Sequence, residues 1–128
     1  MFNVFIDGRE GTTGLQIFDR LSGRKDISLI TLPEEKRKDA AARSECLNSA
    51  DISFLCLPDA AAKEAAAMIK NPAARVIDAS TAHRTAEGWV YGLPELSKER
   101  RKQIAAAARV ANPGCHATGF ITLVAPLV

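Results

Sequence analysis

Two short stretches hold residues whose types and spacing suit chemistry. Late in the chain, ANPGCHATGF (residues 111–120) sets Cys115 directly after a Pro-Gly turn and at the expected start of a helix. The unpaired N–H groups of a helix start favour thiolate over thiol, so a cysteine there is suited to nucleophilic attack. Early in the chain, DGREGTTG (residues 7–14) places Gly8, Gly11 and Gly14 three residues apart. If a strand precedes them and a helix follows, the first glycine allows a tight turn. The second lets backbone N–H groups approach a pyrophosphate, and the third lets helix and sheet pack closely. Thr12 and Thr13 would add hydroxyls within reach of a phosphate. The spacing is a variant of G-x-G-x-x-G, and a ligand-free tight turn is the alternative reading. No Gly-Lys-Ser/Thr follows, which argues against a kinase-type phosphate loop.

These motifs need elements to carry them. Residues 2–6 read as a buried strand, and Gly14 to Leu21 as a helix with Leu15, Phe18 and Leu21 on one face. Strands are then expected at 27–32, 52–57, 75–79 and, very short, at 110–111. Between them, helices are expected over 39–48, from an Asp59 cap to about Lys70, and from a Ser97 cap to about Ala108. A loop carries Trp89, Gly92 and Pro94. Strand and helix alternate without hairpin signals, which predicts an α/β fold: a parallel sheet with helices on both faces and strands buried on both sides.

Ligands of such sheets lie beyond the carboxyl ends of the strands. At the end of the second strand, Glu34 and Glu35 could take the ribose hydroxyls of NAD. Lys36, Arg37 and Lys38 follow at once and favour the extra phosphate of NADP, against the alternative of a solvated charged loop. Leu57 and Pro58, with Asp59 behind them, follow the third strand and are candidates to line the cofactor site through backbone. Ser80 and Arg84 follow the fourth strand as candidate substrate ligands, Arg84 for a carboxylate or phosphate. Glu95 either orients the site or anchors a loop. His83 reads as a loop histidine. His116 is disfavoured as a base for Cys115, because neighbouring side chains on a helix point about 100° apart.

The totals set bounds on function. The 128 residues suit one domain, and 17 basic against 15 acidic residues leave a net charge of +2, which does not argue for nucleic acid. No apolar run approaches the roughly 20 residues of a membrane span, and the N-terminus lacks a signal-peptide pattern. A soluble, cytoplasmic protein without nucleic-acid or membrane partners is expected. Cys46, Cys56 and Cys115 form no C-x-x-C, and two histidines share no ligand spacing, so reduced thiols and no metal site are expected. Cys46 and Cys56 fall inside elements and read as inert core thiols.

Four stretches taken in order, DGREGTTG, VIDASTAHR (76–84), WVYGLPEL (89–96) and ANPGCHATG, resemble the N-terminal part of the N-acetyl-gamma-glutamyl-phosphate reductases of the shorter type. NPGC after YGLPEL is the most specific feature. The layout is more distantly similar to aspartate-semialdehyde dehydrogenase, which shares the reaction type. The resemblance implies a Rossmann-like NAD(P)-binding domain over 1–114. Residues 115–128 would then hold the nucleophile and the start of a helix leading to a substrate domain. It further implies that the Cys115 thiolate attacks an acyl phosphate, releasing phosphate. The thioester is then reduced by NADPH to a semialdehyde, in arginine biosynthesis and without a metal. The family carries an aromatic residue and proline after this cysteine, where this chain has His116-Ala117. Members run to roughly twice this length, beyond the ~100–200 residues of one domain, so the chain is expected to be a fragment or shortened form with the substrate half absent. The apolar tail GFITLVAPLV would be exposed unless covered, which suggests a homo-oligomer. The alternatives are a semialdehyde dehydrogenase for another acyl phosphate, or a non-catalytic nucleotide-binding module for which Cys115 is dispensable.

Overall fold

Strands and helices alternate as the hydrophobic pattern requires. The computed structural model describes residues 1–128. Strands β1 (Phe2–Asp7), β2 (Ile27–Ile30), β3 (Ile52–Leu55), β4 (Arg75–Asp78), β5 (Val90–Tyr91) and β6 (Arg109–Ala111) form one sheet in the order β2-β1-β3-β4-β6-β5. Every pairing is parallel. Helices α1 (Thr12–Ser22), α2 (Ala40–Ser49), α3 (Asp59–Met68), α4 (Arg100–Ala106) and α5 (Cys115–Val124) make the crossovers and the C-terminal segment.

The chain runs outward from β1 to β2, then returns across β1 to β3. Right-handed crossovers therefore put α1 on one face and α2 and α3 on the other, and leave a crevice at the ends of β1 and β3. On the α2/α3 face lies the core, with Phe5, Leu47, Leu55, Ala65 and Val76 all 3% exposed or less. The alanine-rich sequence of α3 serves this packing, because Ala62, Ala65 and Ala66 are buried and let the helix sit low on the sheet. The Asp39 carboxylate caps α2 by accepting from Ala41 N. Asn48 ties α2 to the end of α3, accepting from Lys70 N and Asn71 N and donating to Met68 O.

Four expectations are corrected. The strands are not all buried on both sides. On the α1 face Val4 and Ile6 of β1 are buried, but Phe2 and Leu15 are exposed and Ile52, Phe54 and Ile77 are half-buried, since α1 packs chiefly on β1 and β2. The segment read as a loop around Trp89 holds the two-residue strand β5, too short to show a period and fixed by its pairing with β6. Ser97 does not cap α4: Glu99 takes that position, and the Ser97 carbonyl accepts from Arg100 N in the turn before it. Asp59 does not cap α3 either; Pro58 takes the cap position and the Asp59 side chain bonds elsewhere. No helix is long and apolar enough to cross a membrane. Along α5 and the turn after it, Phe120, Leu123 and Leu127 are exposed.

Two glycines adopt positive φ, Gly8 (85°) and Gly88 (82°), in very different surroundings. A Cβ on Gly8 would sit 2.2 Å from the Cys56 carbonyl oxygen, whereas one on Gly88 would meet nothing within 4 Å. Gly88→Ala should therefore cost about 1 kcal/mol, the backbone term alone. Gly8→Ala adds a backbone collision and should cost about 3 kcal/mol or more. Urea unfolding of the two variants checks the order.

Candidate functional site

At the end of β1 the chain turns at Gly8 and enters α1 through Gly11, which takes the N-cap position without a side-chain cap. A Cβ on Gly14 would lie 2.3 Å from the Gly8 carbonyl oxygen, so the first turn of α1 rests directly on the preceding loop. A Cβ on Gly11 would meet nothing closer than that same oxygen at 3.5 Å, so its open side faces away from the protein. The first intrahelical bond runs from Leu15 N to Gly11 O, which leaves the N–H groups of Thr12, Thr13 and Gly14 without protein partners. The hydroxyls of Thr12 and Thr13 are likewise unpartnered and exposed. Residues 11–14 line a cavity of about 230 Å³ with Cys56, Leu57 and Ala79. A helix start with three open N–H groups beside such a cavity fits a pyrophosphate. Pro58 stands just behind it, at the start of α3.

A second pocket lies at the tip of β2, where Thr31, Leu32 and Arg37 meet Gly8 and Arg9. Arg37 joins Lys38 in an adjoining charged groove with Glu10, Glu34 and Glu35, whereas Lys36 lines neither space. Asp7, 5% exposed, also borders the first pocket, but Arg43 of α2 engages its carboxylate, with Nη2 2.8 Å from Oδ2. Those bonds raise the Arg43 pKa beyond its already high value.

The loop after β4 is built on Asp78, which is fully buried. Its carboxylate accepts from Ser80 N (2.8 Å), the Ser80 hydroxyl (2.8 Å) and His83 Nδ1 (2.5 Å). His83 stacks on Trp89 with ring centres 3.9 Å apart, which agrees with a loop-anchoring histidine. The Ser80 hydroxyl also accepts from Ala82 N, so its proton and one of its two lone pairs are used inside the turn. One residue further, Thr81 donates through N and Oγ1 to Asp59, and this holds the Asp59 carboxyl below its ordinary pKa of 3.8. The loop thus connects the cradle side, through Asp59, to the turn that bears the cysteine.

That turn begins where Asn112 N donates to Asp78 O at 2.8 Å. The Arg84 guanidinium lies against it: Nε donates to Asn112 O at 3.3 Å, and a Cβ on Gly114 would be 2.6 Å from Arg84 Nη1. Arg84 pairs with no carboxylate, so its other donors remain open next to Cys115. Cys115 is exposed and is the first residue of α5. The first bond into that helix runs from Thr118 N to Gly114 O, leaving the N–H groups of Cys115, His116 and Ala117 open. Contrary to the expectation from helix geometry, His116 Nδ1 reaches to 3.6 Å from Cys115 Sγ. Glu95 is exposed on a short turn and joins no ion pair. No group of His, Cys, Asp and Glu is arranged to hold a metal.

The model of the semialdehyde dehydrogenase NAD-binding domain matches residues 30–104, more than half of the chain. The chain belongs to this family. It is a semialdehyde dehydrogenase NAD-binding domain, and close relatives share nearly all of it. It is 63% identical over 98% of its length to an N-acetyl-gamma-glutamyl-phosphate reductase 2 of Pseudomonas putida, and 60% identical over 98% to the N-acetyl-gamma-glutamyl-phosphate reductase of a Chelativorans species. The chain spans 40% of each of these relatives. The fold matches an aspartate semialdehyde dehydrogenase II of Vibrio cholerae, solved with ASA, at TM-score 0.72 and 17% identity, over 99% of this chain and 42% of that one. It also matches the Candida albicans enzyme solved with NADP, at TM-score 0.66 and 14% identity, over 100% of this chain and 47% of that one.

Several residues of the site escaped the sequence reading: Arg9, the Asp7–Arg43 pair, Asp78 as loop anchor, and the Asp59–Thr81 clip. Arg9 alone carried a usable signal, as a long cation inside a glycine-rich turn.

The thiols differ sharply within this semialdehyde dehydrogenase domain. Burial, and then the nearby Asp7 and Asp78 charges, push the Cys56 thiol up to about 11, and burial raises Cys46 as well. At pH 8 only about one Cys56 in 10³ is thiolate. Cys56 lies just past the end of β3 and is half-buried, so it is not the strand core thiol expected, and its raised pKa rather than full burial keeps it unreactive. Iodoacetamide at pH 8 should label Cys115 first and singly, and Cys115→Ser should slow labelling to the rate of Cys46 and Cys56; peptide mass mapping checks this.

Proposed function

We propose that the chain is the cofactor-binding and nucleophile-bearing part of an NADPH-dependent N-acetyl-glutamyl-phosphate reductase of arginine biosynthesis. The observation that carries this reading is the arrangement around Cys115: an exposed thiol at an uncapped helix start, with the Arg84 guanidinium held against the same turn. The names of the relatives at 63% and 60% identity support the substrate, and the family model supports a nicotinamide dinucleotide. The division proposed is 1–114 for the dinucleotide and 115–128 for the nucleophile and the lead into a substrate domain.

In this reading the Cys115 thiolate attacks the acyl carbon of N-acetyl-glutamyl 5-phosphate and inorganic phosphate departs, leaving a thioester on Sγ. The open N–H groups of α5 and the Arg84 guanidinium stabilise the negative charge that develops on the acyl oxygen and on the leaving phosphate. When bound, NADPH supplies the hydride that reduces the acyl group to the aldehyde level. The semialdehyde then leaves and Cys115 returns as thiolate. The residues proposed to hold the cofactor are Gly8, Gly11, Thr12, Thr13 and Gly14 at the pyrophosphate, Leu57 and Pro58 beside it, and cations at the β2 end among Lys36, Arg37 and Lys38. Arg84 is the proposed substrate ligand. Ser80 shapes the loop that carries Arg84 through the turn it makes with Asp78.

The test is phosphate-dependent reduction of NADP with N-acetyl-glutamate semialdehyde. It uses the chain fused to the downstream part of the Pseudomonas putida relative. Activity is expected, with a loss of at least about 10³-fold in Cys115→Ser. Arg84→Gln should raise the KM for phosphate about tenfold or more. A folded fusion that binds NADP and turns over aspartate semialdehyde instead would reassign the substrate. Full activity in Cys115→Ser would refute the mechanism.

A further inference from the structure

The cations at the tip of β2 are not equivalent, and one of them comes from the glycine loop. Arg9 lies between Gly8 and Gly11, and its guanidinium carbon sits 3.5 Å from the centre of the Phe18 ring. It makes no hydrogen bond and joins no ion pair, so its N–H donors are open. It shares the pocket at the end of β2 with Thr31 and Arg37. The Arg37 guanidinium is only loosely engaged, 4.0 Å from Glu34. Asp7 on the same wall is neutralised by Arg43, so Glu10 at the rim is the single unpaired carboxylate against two guanidinium groups.

We infer that Arg9, held against the Phe18 ring, is the residue that distinguishes a 2′-phosphorylated adenosine from an unphosphorylated one, with Arg37 as its second cation. This rests on the dinucleotide reading given above. A guanidinium fixed on an aromatic face has lost most of its rotamer freedom before the ligand arrives, so its charged hydrogen bonds are made with less ordering cost. A phosphate on the ribose at the β2 end would find two planar cations and the Thr31 hydroxyl. An unphosphorylated ribose would find Glu10 at the rim as the one unpaired carboxylate of the pocket, and the two guanidinium groups facing it would offer its hydroxyls no acceptor. Lys36 borders neither space.

Calorimetric titration of the 128-residue chain with 2′,5′-ADP and with 5′-AMP tests this without any turnover. The wild-type chain should prefer 2′,5′-ADP. Arg9→Gln should lose about 10-fold or more of the affinity for 2′,5′-ADP while its affinity for 5′-AMP stays within about 3-fold, and Lys70→Gln, exposed just past the end of α3, should match the wild type. Phe18→Leu should reproduce part of the Arg9→Gln loss, since it frees the guanidinium. Thermal unfolding of each variant verifies that it is folded. Equal weakening of both nucleotides in Arg9→Gln overturns the inference, as does an Arg9→Gln variant that keeps the wild-type preference for 2′,5′-ADP. A wild-type chain that binds neither nucleotide refutes the dinucleotide reading itself.

Discussion

Three stretches of backbone meet at Gly8, and the site depends on their contact. The turn out of β1, the exit of β3 at Cys56 and the first turn of α1 at Gly14 approach so closely that no Cβ fits at residue 8 or residue 14. The positive φ of Gly8 turns the chain sharply enough for α1 to begin over the crevice between β1 and β3. The same contact leaves Gly11 with open space on its outer side, so close packing within the protein and close approach by a ligand are produced by one turn. Cys56 N donates to Asp7 O at 2.8 Å, and the cradle wall is thereby continuous with the sheet.

The second half of the site is organised by charge. Asp78 is buried without a lysine or arginine across from it, and such a carboxylate is tolerable because three donors converge on it, one of them from His83. Satisfying those donors folds residues 79–84 into a tight loop, and the loop delivers Arg84 to the turn that bears Cys115. Asp7 at the end of β1 is handled differently, by a bidentate guanidinium from α2. Two strand-end carboxylates are thus taken up by the protein itself, while Arg9 and Arg84 pair with no carboxylate and Arg37 only with Glu34 at 4.0 Å.

Features fixed by local chemistry were legible in the sequence. The strand–Gly–helix turn, the order of strands and helices, and the cysteine at a Pro-Gly helix start each follow from a few adjacent residues. What escaped depends on partners far along the chain. Strand β5 exists through its pairing with β6. His83 is ordered by a strand residue and a tryptophan on its other side. Asp59 and Ser97 were read as caps because their residue types suit that role, but a proline displaced the first and a turn displaced the second. The half-open α1 face was hidden because an apolar strand residue looks the same whether one helix or two will cover it.

Both margins of the sheet are poor templates for another strand. β2 offers four residues and runs directly into the charged segment Glu34–Lys38, while β5 offers two. Short, charge-flanked edges leave few consecutive N–H and C=O groups for an incoming chain to pair with. Sheet-to-sheet aggregation is therefore suppressed at the ends of a parallel sheet, a topology that exposes its strands for long intervals while folding. Apart from Phe2 on the inner strand β1 and the two chain ends, the exposed large apolar side chains lie on helices and helical turns, where contact does not propagate as a ribbon.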